Sequence, residues 1–112
     1  MSIYTDSPFS SQLLTMAGLT TEEVTLHDNC HTVVVTFADG GTSGDSVAVQ
    51  WIKEGYATSG VFGLFTINFG TAVVLPVQPA SKRPGSKKFQ VRKGVASGTY
   101  LINVTQVCGN EV

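Results

Sequence analysis

From Glu22 onward, apolar residues recur at every second position in short runs, the period of a half-buried β-strand. Val24 and Leu26 alternate with polar neighbours. The run HTVVVTFA, beginning at His31, is dense in β-branched side chains. It puts Val33, Val35 and Phe37 on one face and Thr32, Val34 and Thr36 on the other. Asp39 to Asp45 is rich in glycine and reads as a turn, after which Ser46 to Lys53 sends Val47, Val49 and Trp51 one way and Gln50 the other. Val61 to Phe69 and Thr71 to Val77 are two more apolar runs, split by Gly70. Pro76 and Pro79 lack the N–H that a ladder needs, so the later part of the second run belongs at a sheet edge. Lys88 to Lys93 predicts a strand with Phe89 and Val91 inward and Lys88, Gln90 and Arg92 outward. Thr99 to Val107 predicts a longer one with Tyr100, Ile102 and Val104 on a common side.

The first twenty residues lack this alternation. Ser10 or Ser11 is placed to cap one or two helical turns through Leu13, Leu14, Met16 and Ala17, ending at Gly18. Residues 1–20 are therefore expected to form a short irregular N-terminal arm, and residues 21–112 a single β-sandwich domain. Seven or eight short strands with a turn about every ten residues predict an all-β fold, an antiparallel two-sheet β-sandwich of jelly-roll-like type. The spacing of Cys30, Trp51, Tyr100 and Cys108 does not fit an immunoglobulin domain.

Composition narrows the class. At 112 residues, 42% hydrophobic and 13% charged, the chain has the material for one modest core and is far from a disordered segment. So few charges also suit a surface partly covered by another subunit. No apolar run is long enough for a transmembrane helix. The N-terminus lacks the basic start and long apolar stretch of a secretory signal, so synthesis in the cytoplasm is expected. Cys30 and Cys108 are then thiols by default. Both lie near strand ends, which leaves a bridge between them geometrically open.

The charge is not evenly spread. Six of the seven basic residues, Lys82, Arg83, Lys87, Lys88, Arg92 and Lys93, lie in one short window, whereas Lys53 and all eight acidic residues lie outside it. With Pro84-Gly85 as a turn, the window reads as a β-hairpin carrying a concentrated positive charge, a contact surface for a partner of opposite sign. Nucleic acid is disfavoured as that partner, because single-strand binders interleave aromatic rings with their cations and only Phe89 is near. An acidic protein surface, including that of a second copy, asks less of the sequence.

Candidate chemistry is sparse. His27-Asp28-Asn29-Cys30-His31 contains several metal-competent groups, and in an extended strand His27, Asn29 and His31 would share a face. A zinc site needs three or four converging ligands, and no second Cys/His cluster completes one. The serines sit in no nucleophile elbow, and Glu22-Glu23, Asp39 and Asp45 occupy strand starts and turns where carboxylates are usually solvated. No catalytic residue, metal or cofactor is assigned. The expected role is non-enzymatic.

Length, few charges, Val/Thr/Gly-rich jelly-roll-like strands, a loose N-terminal arm and a polar tail together resemble the small head-decoration (cement or staple) proteins of tailed bacteriophages. The resemblance is one of overall profile and assigns no individual residue. It implies a structural protein on the virion capsid surface, made in the host cytoplasm, that binds the major capsid protein, bridges capsid subunits and forms homo-oligomers, with no membrane. The basic window and the segment Ser2 to Pro8 would be its tethers. The competing readings are a carbohydrate-binding or adhesin-type sandwich, with Tyr4, Trp51, Tyr56 and Tyr100 as possible sugar platforms, and nucleic-acid binding through the basic hairpin.

Overall fold

The computed structural model describes residues 9–53, 60–77 and 88–109. Eight strands run β1 (Phe9–Ala17), β2 (Thr20–Thr25), β3 (Cys30–Asp39), β4 (Ser46–Lys53), β5 (Gly60–Asn68), β6 (Thr71–Pro76), β7 (Lys88–Lys93) and β8 (Thr99–Cys108). They form two antiparallel four-stranded sheets, ordered β1-β8-β3-β6 (sheet A) and β2-β7-β4-β5 (sheet B). Every strand of the first half pairs with its mirror in the second: β4 with β5, β3 with β6, β2 with β7 and β1 with β8. This is one long hairpin rolled up, and the joins β3·β8 and β4·β7 complete the two sheets. That strand order is the jelly roll expected from the sequence.

The core lies between the sheets and is built by alternation. Val33, Val35 and Phe37 of β3, Tyr100, Ile102 and Val104 of β8, Val47 and Val49 of β4, and Phe89 and Val91 of β7 all point inward and are buried. Phe37 packs edge-on against Phe69 at 5.3 Å and tilted against Tyr100 at 4.7 Å, geometries favoured by the ring quadrupoles. Trp51 follows a register shift in β4 and is half-buried, edge-to-face with Phe89 at 5.9 Å. As Pro76 requires, β6 is an edge strand.

The expectation of helical turns between Ser10 and Gly18 is corrected. Residues 9–17 are β1, paired along their whole length with β8, from Phe9↔Val107 to Ala17↔Thr99. They belong to the sandwich rather than to an arm. Leu14 and Met16 face the core, and pairing with a long neighbouring strand overrides a weak local preference. Residues 1–8 lie outside the described residues. His27 to Asn29 is likewise a turn, closed by Cys30 N–H donating to the His27 carbonyl at 3.1 Å, so His27, Asn29 and His31 do not share a strand face.

Candidate interaction surface

The described cations of the basic window, Lys88, Arg92 and Lys93, fall into two different environments. Lys82, Arg83 and Lys87 lie outside the described residues. Lys88 and Arg92 point outward from β7, with Lys88 Nζ 3.5 Å from Glu23 Oε1 on the adjacent β2. Lys93 is only 1% exposed, which corrects its assignment as a partner contact. The alternation that buries Phe89 and Val91 carries Lys93 inward as well, at the end of the strand. There its ammonium donates to the carbonyls of Gly18 (3.1 Å), Val95 (2.7 Å) and Ser97 (2.8 Å) and lies 4.6 Å from the centroid of the Tyr100 ring. Three carbonyls and an aromatic face satisfy the buried cation, and the Asp45 carboxylate adds an electrostatic attraction.

The hairpin expectation for this window is also corrected for its second arm. Lys88 to Lys93 is flanked by β2 on one side and β4 on the other, so neither edge of β7 is left for an arm preceding it. The route from β6 to β7 passes from sheet A to sheet B.

The two ends of the sandwich are closed by internal polar contacts. Near Lys93, the Asp45 carboxylate accepts from the Thr42 N–H (2.9 Å) and hydroxyl (3.3 Å) and is hydrogen-bonded by the Tyr100 hydroxyl. These bonds, the Thr42 N–H first, hold its carboxyl below the ordinary value, and burial together with the Asp45 charge pushes the Tyr100 phenol up. At the opposite end the buried Gln106 amide donates to the Thr25 carbonyl (3.0 Å) and accepts from the His27 N–H (2.9 Å), while Asn29 donates to the Gly109 carbonyl (3.0 Å). Among the described residues, no group of three or more His, Cys, Asp or Glu side chains is arranged to hold a metal ion.

The outer face of sheet B is polar and largely self-paired. Gln90 donates to Gln50 at 2.6 Å beside the Glu23–Lys88 pair, and Arg92 stands exposed next to an open depression of about 280 Å³ lined by Ser46, Ala48, Thr66 and Val95. The outer face of sheet A is different. Its rungs Ser11·Thr105·Val34·Val74 and Leu13·Asn103·Thr36·Ala72 hold no ionisable group. Leu13 is 55% exposed and Val74 64%. Across all four strands of sheet A the one acidic residue is Asp39 and the one histidine His31, at opposite ends of β3, with no lysine or arginine. Both edges of that sheet, β1 and β6, are free of charge, as is the β5 edge of sheet B. Edge strands usually carry lysines or other charges that discourage pairing, and these three do not.

Sequence reasoning placed the contact surface by charge density. The structure draws attention instead to where charge is missing, and that signal stood in the sequences of β1, β6 and β8. Of the sugar-platform candidates, Tyr100 is buried and Trp51 is half-buried against Phe89, while Tyr4 and Tyr56 lie outside the described residues.

No known protein family matches the chain, and no curated protein matches it either. One solved structure that resembles it is described by the words "Bacillus endospore appendages form a novel family of disulfide-linked pili"; it is 9% identical, with 90% of this chain and 89% of that chain covered, at a TM-score of 0.44.

Proposed function

We propose that the chain is a non-catalytic assembly subunit, a jelly-roll module that works by protein–protein contact within a multi-copy protein particle and is covered there over sheet A. The observation that carries this reading is the outer face of sheet A, whose two central rungs hold no ionisable group and whose edge strands β1 and β6 carry none, with His31 and Asp39 confined to the ends of β3. Uncharged Thr, Val and Leu positions lose little on leaving water, and open edges add main-chain hydrogen bonds to a neighbouring strand. The outer surface of a phage-type capsid is the particle that the sequence profile resembles. The cations Lys82, Arg83, Lys87 and Arg92 have a supporting role in this reading, steering the subunit toward an acidic surface before contact.

The test is to place a charge in each surface separately. Val74→Glu and Leu13→Lys should abolish co-sedimentation with purified phage capsids and any self-association seen by light scattering, with circular dichroism unchanged. Arg92→Glu on sheet B should slow association and raise its salt sensitivity without abolishing it. Assembly that tolerates both sheet A variants would refute the proposal. Self-association without capsid docking would keep the assembly reading and discard the capsid.

A further inference from the structure

We infer that Cys30 and Cys108 form an oxidative modification site, a cross-strand dithiol that closes to a disulfide and clasps the start of β3 to the end of β8. The inference rests on strand register and does not depend on the functional reading above. Cys30 and Cys108 are direct partners across the β3·β8 ladder. The Gly109 N–H donates to the Asn29 carbonyl at 3.0 Å, one residue outside the pair on each strand. A flanking bond of that kind marks the two cysteines as a non-hydrogen-bonded pair, the closer of the two antiparallel arrangements, with Cα atoms about 4.5 Å apart. Disulfides span Cα separations of about 4.4–6.8 Å, so no backbone movement is needed to bring the sulfurs together.

Side-chain direction agrees. Opposed residues share a face of the sheet, and both cysteines turn to the same core: Cys30 is buried within it and Cys108 packs against it half-exposed. The Cys30 Sγ lies 3.4 Å from the Thr32 carbonyl, beside the register shift between Cys30 and Thr32 where the ladder is irregular. Unequal exposure sets the order of events. With a small-molecule disulfide such as oxidised glutathione as oxidant, the Cys108 thiolate attacks one sulfur, the oxidant's S–S bond breaks, and one thiolate leaves. The Cys30 thiol then gives up its proton to water and attacks the Cys108 sulfur, expelling the second thiolate. Two protein thiols are oxidised and one external disulfide is reduced to two thiols, with every electron accounted for.

The bridge would close six of the eight strands into one covalent loop, from the start of β3 to the end of β8. The experiment takes the full chain through oxidised and reduced glutathione and reads intact mass, peptide mapping and thermal unfolding. The expected product is a monomer lighter by two hydrogens, with a Cys30–Cys108 crosslinked peptide and a Tm roughly 10 °C higher that reverts with reductant. In Cys30→Val, or in Cys108→Ser should the first fail to fold, that bridge and its Tm gain should both be absent. Cys108 in the valine variant should instead retain glutathione as a lasting adduct. Two thiols that stay titratable under oxidant, a persistent glutathione adduct on the unmodified sequence, or crosslinks formed only between chains would each overturn the inference.

Discussion

The ammonium of Lys93 sits over the ring of Tyr100, 4.6 Å from its centroid, and is hydrogen-bonded to three main-chain carbonyls. One of those carbonyls belongs to the β1–β2 turn and two to the β7–β8 turn, so a single side chain ties two connections across the mouth of the sandwich. Lys93→Met keeps the apolar stem and removes the donor. It should cost about 2–4 kcal/mol, because acceptors turned toward the buried site lose their partner. Urea denaturation checks this, with Arg92→Met, at the exposed neighbouring position, expected to shift stability by less than about 0.5 kcal/mol.

Acid and alkaline limbs of stability trace to the next pair along. The Asp45 carboxyl titrates below its ordinary 3.8 in the native state, mainly through the Thr42 N–H, so its contribution is complete above that value and disappears as pH falls through the folded one. The Tyr100 phenol titrates above its ordinary 10.0, through burial and then the Asp45 charge, so the neutral ring's contribution is complete below that value and is lost as pH rises through the folded one. Melting temperatures measured from pH 2 to 5 should fall less steeply for Asp45→Asn than for the native chain. Tyr100→Phe should flatten the decline above pH 10.

Two glycines of one loop should respond differently to alanine. Gly40 has φ +86°, and a Cβ there would run into the Thr99 carbonyl oxygen on the neighbouring strand. Gly44 has φ +97° with open space around it. Both substitutions carry the backbone penalty of about 1–2 kcal/mol, and Gly40→Ala should cost clearly more because main chain must move to admit it. Thermal unfolding of the two variants side by side gives the comparison.

The Glu23–Lys88 pair is cross-strand, exposed and 3.5 Å apart. A double-mutant cycle to alanine should return a coupling of about 0.2–1 kcal/mol that shrinks in high salt. A larger, salt-resistant coupling would mean that the pair is buried in solution by a neighbouring molecule.

Alternation made most of the fold legible. The inward triplets of β3 and β8 and the inward pair of β7 stand in the sequence at period two, and Pro76 marked β6 as an edge. The strand β1 did not declare itself, because FSSQLLTMA offers only Leu14 and Met16 to the core and places Leu13 beside Leu14. Its identity comes from a partner far along the chain. Lys93 was legible by period and misread by charge: it stands two residues after Val91, in phase with the core, and its compensation by three carbonyls depends on turns that only folding brings together. The Cys30–Cys108 register was out of reach for the same reason, since it depends on which strands become neighbours.

The nesting of the strands has a consequence for how the molecule is made. Residues of β1 find their places only against β8, with Phe9 opposite Val107. On a ribosome β1 emerges ahead of β2 to β7 and stays unmatched until β8 follows, an uncharged, pairing-competent ribbon in the meantime. Nascent copies on one messenger therefore present the same unmatched segment to one another, the condition under which strands of separate chains mispair.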